Sequence, residues 1–401
     1  MNLSAGYPYS FIKNGLISSF PSAQNNIKTD VLILGGGITG ALMAYYLCTN
    51  NIECTLIDAR TIGLGSTCAS TSMLQYELDT PLFKLIDIVG KENAIRAYKM
   101  CAESIDTLEE ISKKIKFEDF RKQHSLFFSA YKKDISFIEK EFEQRKKAGF
   151  DVTLLDKKEI QKKFGFDAPN AILSDVGGYI DAYKFTYSLL QFCKNKGMNI
   201  YDRTKAVDID CQKNGVILHT ENGFKIATKK LINTTGYEVA NFIEKNILIL
   251  HSTYAIVSEN IEEKIFNQWN KNTLMWNTAN PYLYMRATND HRIIIGGRDE
   301  DFYNPAQRDK LLKKKSNLLV KDFNKIFPEM AFNKEFSWCG TFGTTKDSLP
   351  YIGTYTKTPH TYYALGFGGN GITFSVIAAQ IITDILKNKK NIDKEIYKFE
   401  R

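Results

Sequence analysis

The sequence predicts an α/β fold: a parallel sheet flanked by helices, interleaved with an α+β unit built on a mixed or antiparallel sheet. Three observations predict it. An apolar run beginning at Val31 enters three consecutive glycines, Gly35 to Gly37, and continues directly into an apolar, small-residue helix pattern. A second apolar run then ends on a carboxylate, Asp58. Near the other end of the chain a further glycine-rich turn, Gly366 to Gly371, opens another apolar helix, so one structural unit draws on both ends of the sequence.

With 401 residues, 43% of them hydrophobic, the chain can build two domains, each with its own core. The net charge of +8 admits a polyanionic partner. The lysines are, however, scattered along amphipathic helices such as Asp134 to Lys147, and no basic block alternates with aromatic residues. A solvated basic surface is therefore expected, and no nucleic acid. The seven cysteines (48, 54, 68, 101, 193, 211 and 339) are odd in number, far apart and form no C-x-x-C pair. Neither a disulfide framework nor a zinc site is expected. No basic start leading into an apolar run opens the chain, and no stretch has the length of a transmembrane segment, so the expectation is a soluble cytoplasmic protein.

In order along the chain, Asp30 to Gly35 reads as a buried parallel strand, Ile38 to Thr49 as the helix packed on it, and Glu53 to Asp58 as the next strand. Two amphipathic helices follow. The first carries Ile95, Tyr98, Ala102, Ile105, Leu108 and Ile111 at helical spacing, and the second begins at an N-cap, Asp134. Between them Ser125 to Ala130 reads as a strand; the segments from Ala171 and Gly177 and a helix from Ala182 to Asn195 come after. Short strands then alternate from Asn214 to Gly297, and helical patterns resume at Pro305 to Phe327 and Ile372 to Lys387. The expected domains are 28–85, 170–246 and 338–390 for the first unit and 86–169 and 247–337 for the second, with 1–27 as an extension.

Gly35-x-Gly37-x-x-Gly40 lies between a strand and a helix, the context that gives this spacing meaning. The first glycine permits the tight turn, the second lets backbone approach a pyrophosphate, and the third lets helix pack on strand. The helix N-terminus presents free N–H groups and partial positive charge to the phosphates, and Asp58 is placed to accept from a ribose hydroxyl. The motif does not distinguish NAD from FAD. After Asp58 comes a loop rich in Gly, Ser and Thr, through "GLGSTCASTSMLQ", which can supply donors to a second phosphate and run on to a flavin ring.

Together with "KKLINTTGYE", "WCGTFGTTKDSLPYIG" and "YYALGFGGNGITFSV", these segments resemble the FAD-dependent oxidoreductases of the D-amino-acid oxidase superfamily, glycine oxidase and sarcosine oxidase above all. Gly340, Thr345, Lys346, Asp347, Pro350, Tyr351, Ile352 and Gly353 match one family turn. Gly366, Asn370, Gly371 and Ile372 match its closing loop, and the signals extend from Val31 to about Leu386. The resemblance implies a Rossmann-like FAD-binding domain. It also implies cofactor contacts from Ile38, Thr39, Ala59, Arg60, Ser66, Thr67, Ser72, Met73, Val207, Thr235, Gly236, Gly340, Gly366, Gly369, Asn370, Gly371, Ile372 and Thr373, besides Gly35, Gly37, Gly40 and Asp58. A helix starting at Asn370 to Thr373 can aim N–H groups at the negative pyrimidine side of a reduced flavin. The position of the covalent cysteine of sarcosine oxidases is Gly340, one residue from Cys339, so non-covalent FAD is expected.

The resemblance further implies hydride removal from a carbon bearing nitrogen, giving an imine, with a small amine or an N-substituted or D-amino acid as substrate and oxygen or an electron carrier as acceptor. Relatives hold a substrate carboxylate with arginines; the matching places here are Phe342 and Gly369, which makes a simple α-amino acid a poorer expectation. Arg286 is the candidate replacement cation, against the competing reading of an arginine on a strand's solvent face, and Tyr284 and Phe342, with Tyr282, are candidate pocket walls. His251 and His291 read as structural. Competing readings are a dehydrogenase of a non-amino-acid substrate feeding a quinone or carrier, an NAD enzyme, a nucleic-acid-modifying flavoenzyme, and a flavin-binding module without activity.

Overall fold

The computed structural model describes residues 2–241, 243, 247–269 and 272–401. The glycine-flanked run forms the strand Ile27–Leu34, which pairs in parallel with Cys54–Ile57 on one side and Lys225–Asn233 on the other. Asn199–Tyr201 extends the sheet beyond Cys54–Ile57, and Thr361–Leu365 adds a further parallel partner to Lys225–Asn233. Strands buried on both faces read as continuous apolar runs rather than as alternation, and the central ones here do so. The helices Ile38–Thr49, Ala182–Asn195 and Gly371–Leu386 pack together with Lys91–Lys114 into one apolar cluster against this sheet. An antiparallel meander, Ala206–Gln212, Gly215–Thr220 and Lys225–Asn233, completes it.

The second sheet has nine strands in the spatial order Ser4–Gly6, Lys334–Thr344, Ile249–Ser258, Ile293–Glu300, Tyr284–Ala287, Thr273–Asn277, His124–Phe128, Asn170–Ser174, Val152–Asp156. All neighbours run antiparallel except His124–Phe128 and Thr273–Asn277. The helix Pro305–Ile326, capped by the Asn304 side chain accepting from Gln307 N at 3.0 Å, lies on one face and shares a core with it. A small sheet, Met73–Leu74, Gly178–Ile180 and Phe120–Lys122, joins the two units.

Three expected boundaries move. Asn170–Ser174, assigned above to the cofactor unit, is a strand of the nine-stranded sheet. Lys91–Lys114, assigned to the substrate unit, packs on the closing helix Gly371–Leu386. Residues Ser4–Gly6 of the supposed extension form an edge strand against Lys334–Thr344. Asp134 does stand at the N-cap of Ile135–Lys147, but its carboxylate accepts from Thr278 Oγ1 rather than capping the helix. All seven cysteines are free, and no described helix is long and apolar enough to cross a membrane.

Candidate active site

The carboxyl ends of the parallel strands and the face of the large sheet enclose a cavity of about 380 Å³. At one end lies the glycine turn. Gly35 has φ +113°, and a Cβ there would come within 2.7 Å of the Thr234 carbonyl oxygen. On Gly37 a Cβ would come within 2.9 Å of Thr67 Oγ1, the atom that accepts from Ile38 N at 3.0 Å. Gly40 does not line the cavity; its Cβ would overlap the Gly35 carbonyl, so its task is close packing of helix on turn. Asp58 braces the turn, accepting from Gly36 N at 2.6 Å and from Arg60 N at 2.7 Å. Burial pushes its carboxyl above the usual range against the pull of those two bonds. Arg60 forms a fork on Glu238 (3.1 and 2.5 Å), and Lys205 donates to Glu221 at 2.7 Å.

Ile38, Thr39, Ala59, Ser66, Thr67, Ser72, Met73, Thr235, Gly236 and Gly340 all line the cavity between this end and the other. Ser72 holds φ +59°, an uncommon conformation for a non-glycine residue, where the loop bends towards the large sheet. Val207 is displaced from the site. It is 53% exposed, and Lys205 and Ala206 line the cavity in its place. The cause is a bulge: Ala206 faces Thr220 and Asp208 faces His219, so Val207 is an extra residue.

At the closing loop, Gly366, Gly369, Gly371 and Ile372 face the cavity. Asn370 and Thr373 lie behind it: Asn370 Nδ2 donates to the carbonyls of Gln75 (3.0 Å) and Glu77 (2.9 Å), and Thr373 Oγ1 donates to Asn370 O. Asn370 occupies the N-cap of Gly371–Leu386. The first N–H groups of a helix have no partner within it, and here Gly371 and Ile372 bring that end to the cavity wall. Thr39 Oγ1 and Ser375 Oγ, 2.8 Å apart, tie this helix start to that of Ile38–Thr49, so two helix N-termini converge on one space.

Two residues that motif reasoning missed complete this region. Asp79 accepts from Gly369 N at 2.8 Å and from Tyr282 OH at 3.0 Å, and a Cβ on Gly369 would sit 2.7 Å from its Oδ1. The space beside Gly369 is thus filled from across the loop by a carboxylate. Asp299 lines the same end with Tyr282, Tyr284 and Phe342. Tyr284 can lie flat because its cross-strand partner is Gly296, where a Cβ would overlap the ring. His251, read above as structural, stacks behind Phe342 (centroids 5.0 Å apart) and bonds Thr344 Oγ1 at 2.9 Å.

Arg286 does not face the cavity. It is 4% exposed, its Nε donates to Thr71 O at 2.6 Å, its Nη1 donates to Ala287 O at 2.9 Å, and its guanidinium lies 4.7 Å from the Tyr179 ring centroid. It braces the loop before Ser72 from behind. Among the described residues, the only lysines and arginines lining the cavity are Lys205 and Arg60, both at the Asp58 end. Cys339 also turns away, towards Asp309 Oδ1 (3.5 Å) and Ala5 O (3.8 Å).

The glycine turn, the buried acceptor on Asp58, the cradle that a Cβ would fill and the second helix N-terminus fit a dinucleotide with a flavin at the far end. The chain is similar to known proteins over nearly its whole length. Gamma-glutamylputrescine oxidoreductase of Escherichia coli is 22% identical over 92% of this chain and 86% of its own. Glycine oxidase of Bacillus subtilis is 21% identical over 90% and 94%. The crystal structure of L-proline dehydrogenase from P. horikoshii superimposes with a TM-score of 0.78 at 20% identity, covering 93% of this chain and 97% of that one. The FAD dependent oxidoreductase family, DAO, matches residues 30–385, and the chain belongs to that family.

Proposed function

We propose that this FAD-dependent oxidoreductase oxidises the C–N bond of a small amine that carries no carboxylate next to the reacting carbon, giving an imine. One observation supports this most directly: the end of the cavity formed by Tyr282, Tyr284, Phe342 and Asp299 has no described lysine, arginine or histidine lining it. A substrate carboxylate there would lose charge-assisted bonds worth roughly 1.5–3 kcal/mol each and would face the Asp299 carboxylate. Aromatic faces and a carboxylate suit an amine instead.

FAD, when bound in this cavity, would supply the hydride acceptor for the carbon next to nitrogen. The chain's part is orientation and exclusion of water. Gly35, Gly37 and Asp58, which line one end of the cavity, would hold the nucleotide. The start of Gly371–Leu386, at the cavity wall, would offer its N–H groups to the flavin, and the loop 366–371, pinned by Asp79 and by Asn370, closes this end of the cavity. Phe342, backed by His251, and the two tyrosines wall a mostly apolar space. Because Cys339 points into the core behind Gly340, the flavin is held without a covalent link, and acid precipitation should release all of the yellow colour into the supernatant.

The test is anaerobic reduction of the visible flavin band by a panel of primary and N-methyl amines, glycine, sarcosine and D-alanine. The amines should reduce it with kcat/KM roughly tenfold to a hundredfold above the amino acids, as one or two missing carboxylate bonds require. Faster reduction by the amino acids would refute the reading. Admitting air then separates an oxidase from a dehydrogenase that needs a carrier.

A further inference from the structure

We propose that Asp299 is the seat of the substrate's charged nitrogen: its carboxylate receives an ammonium group against the Tyr282 and Tyr284 rings and takes the proton that the nitrogen must lose before oxidation. This rests on the amine reading above and narrows it to amines that arrive as cations.

The backbone is built to present this carboxylate. In the pairing of Ile249–Ser258 with Ile293–Glu300, Tyr254 faces Gly297 and Ser252 faces Glu300. Two steps on one strand meet three on the other, so the second strand carries one extra residue, a bulge of the kind that re-aims side chains beside active sites. Gly297 at φ +138° and Arg298 at φ +59° make the turn. A Cβ on Gly297 would meet the Tyr282 carbonyl, and the non-glycine strain at Arg298 is held by its fork on Asp322. The residue that follows, Asp299, thereby reaches the cavity wall.

Its chemistry is unfinished without a ligand. Asp299 Oδ1 is buried and has no hydrogen-bond partner, a costly state for a carboxylate oxygen in a native fold. Thr253 on the neighbouring strand lowers its carboxyl only in part. The cation facing it is Lys315, on the helix Pro305–Ile326, but Lys315 donates to Arg298 O at 2.9 Å and pairs with Glu300. Asp79 and Asp301 face it as further negative charges, and Tyr282 and Tyr284 are held neutral by burial. Asp79 has a hydrogen bond on each oxygen already, so it adds field rather than a vacant acceptor. Burial, with Asp79 adding to it, pushes the Asp299 carboxyl up to about 7 against Thr253 and Lys315. A group so placed can both accept and return a proton near neutral pH.

The step balances. R–CH2–NH3⁺ passes one proton to the Asp299 carboxylate, leaving R–CH2–NH2 and a neutral carboxyl. The freed lone pair forms the C=N bond as hydride leaves the carbon for the cofactor, and a protonated imine remains.

Binding can be tested on the holoenzyme with probes that cannot react, tetramethylammonium and acetate, read as a perturbation of the visible flavin spectrum. Tetramethylammonium should bind and acetate should not. Its affinity should fall roughly tenfold per pH unit below about 7, where the carboxyl protonates. Asp299→Asn should bind it at least about tenfold more weakly with no pH dependence. A flat pH profile in the unmodified enzyme, tighter binding of acetate, or unchanged affinity in Asp299→Asn each overturns the proposal, and the first two need no variant to fold. Amine reduction of the flavin together with any of those results leaves amine oxidation standing and removes Asp299 from it. Pronounced cation binding with no reduction by any amine overturns the reaction and the proton step together.

Discussion

Replacing Arg145 by methionine should destabilise the protein by about 3–5 kcal/mol at pH 8, and by clearly less at pH 5. Arg145 is fully buried and does not line the cavity. Its Nε donates to Glu141 at 2.7 Å and its Nη1 to Glu77 at 3.1 Å, while the guanidinium sits over the Tyr76 and Phe127 rings at 5.5 and 5.6 Å. Each glutamate is committed elsewhere. Glu141 accepts from Leu82 N (3.0 Å) and Phe83 N (3.2 Å) at the start of the helix Leu82–Val89, and the Glu77 carbonyl receives Asn370 Nδ2 from the closing loop. Methionine fills most of the volume but leaves two buried carboxylates without a cation, which is the costly half of breaking a buried pair.

The pH dependence follows from Glu77. Burial already raises its carboxyl above the usual 4.5, with Arg145 opposing the rise. Without Arg145 only a backbone N–H and Ser125 oppose the rise, so the folded state binds the proton more tightly still than the unfolded chain. Stability is then retained below the unfolded pKa and lost as pH climbs through the raised folded one. Urea denaturation of the variant and the parent at pH 5 and pH 8, followed by tryptophan fluorescence, measures both numbers. Adding Glu77→Gln should recover part of the loss at pH 8. An equal loss at both pH values, or no recovery with Glu77→Gln, would refute the argument from an uncompensated buried charge.

Three further outcomes are expected. Asp58→Ala removes the acceptor shared by Gly36 N and Arg60 N and should weaken FAD binding by roughly tenfold or more, read by flavin fluorescence on dilution; an unchanged dissociation constant would count against the brace. Gly40→Ala forces a Cβ into the Gly35 carbonyl, and the purified protein should contain little or no flavin while Gly65→Ala, whose Cβ meets nothing nearer than 3.6 Å, stays yellow. Val207→Asp should leave FAD affinity within about twofold, as for other exposed positions outside the cavity; a larger change would place the residue at the cofactor after all.

The parts of this site that the sequence revealed are those whose chemistry demands a local pattern. A pyrophosphate needs a small-residue turn between strand and helix, and a closing loop over a flavin needs glycines before a helix, so Gly35, Gly37 and Gly371 are visible without any coordinates. Two of the differences, at Val207 and Asp299, have a physical origin in register. Side chains alternate along a strand with period two, so one extra residue exchanges the faces of everything beyond it. Val207 was expected at the cofactor and Asp299 was not expected anywhere, and each sits at a bulge. Arg286 shows a second kind of miss: its strand was foreseen, but the carbonyl that captures its guanidinium, Thr71, comes from a loop more than two hundred residues away. The only cue for Asp79 was its place in the loop after "SMLQ", since its partners Gly369 and Tyr282 are remote in sequence.

The net charge of +8 says nothing about this cavity, and the reason bears on substrate choice. Long-range fields from exposed lysines are screened within about 10 Å by salt, whereas groups that line a buried space act at close quarters. The two cations in the wall are each neutralised, Arg60 by Glu238 and Lys205 by Glu221. At the other end Asp299 stands among tyrosines with no cation in the wall, and Asp79 adds negative charge from behind Gly369 and Tyr282. A basic protein thus presents a locally acidic pocket to the reacting carbon. An anionic substrate would be attracted to the outside and disfavoured within, while a cationic amine meets the reverse. Raising salt should therefore leave amine kcat/KM unchanged or raise it modestly, because screening removes the outer repulsion while the buried field persists; a steep fall with salt would show that attraction by exposed, screenable acidic groups, not the buried pocket, selects the substrate.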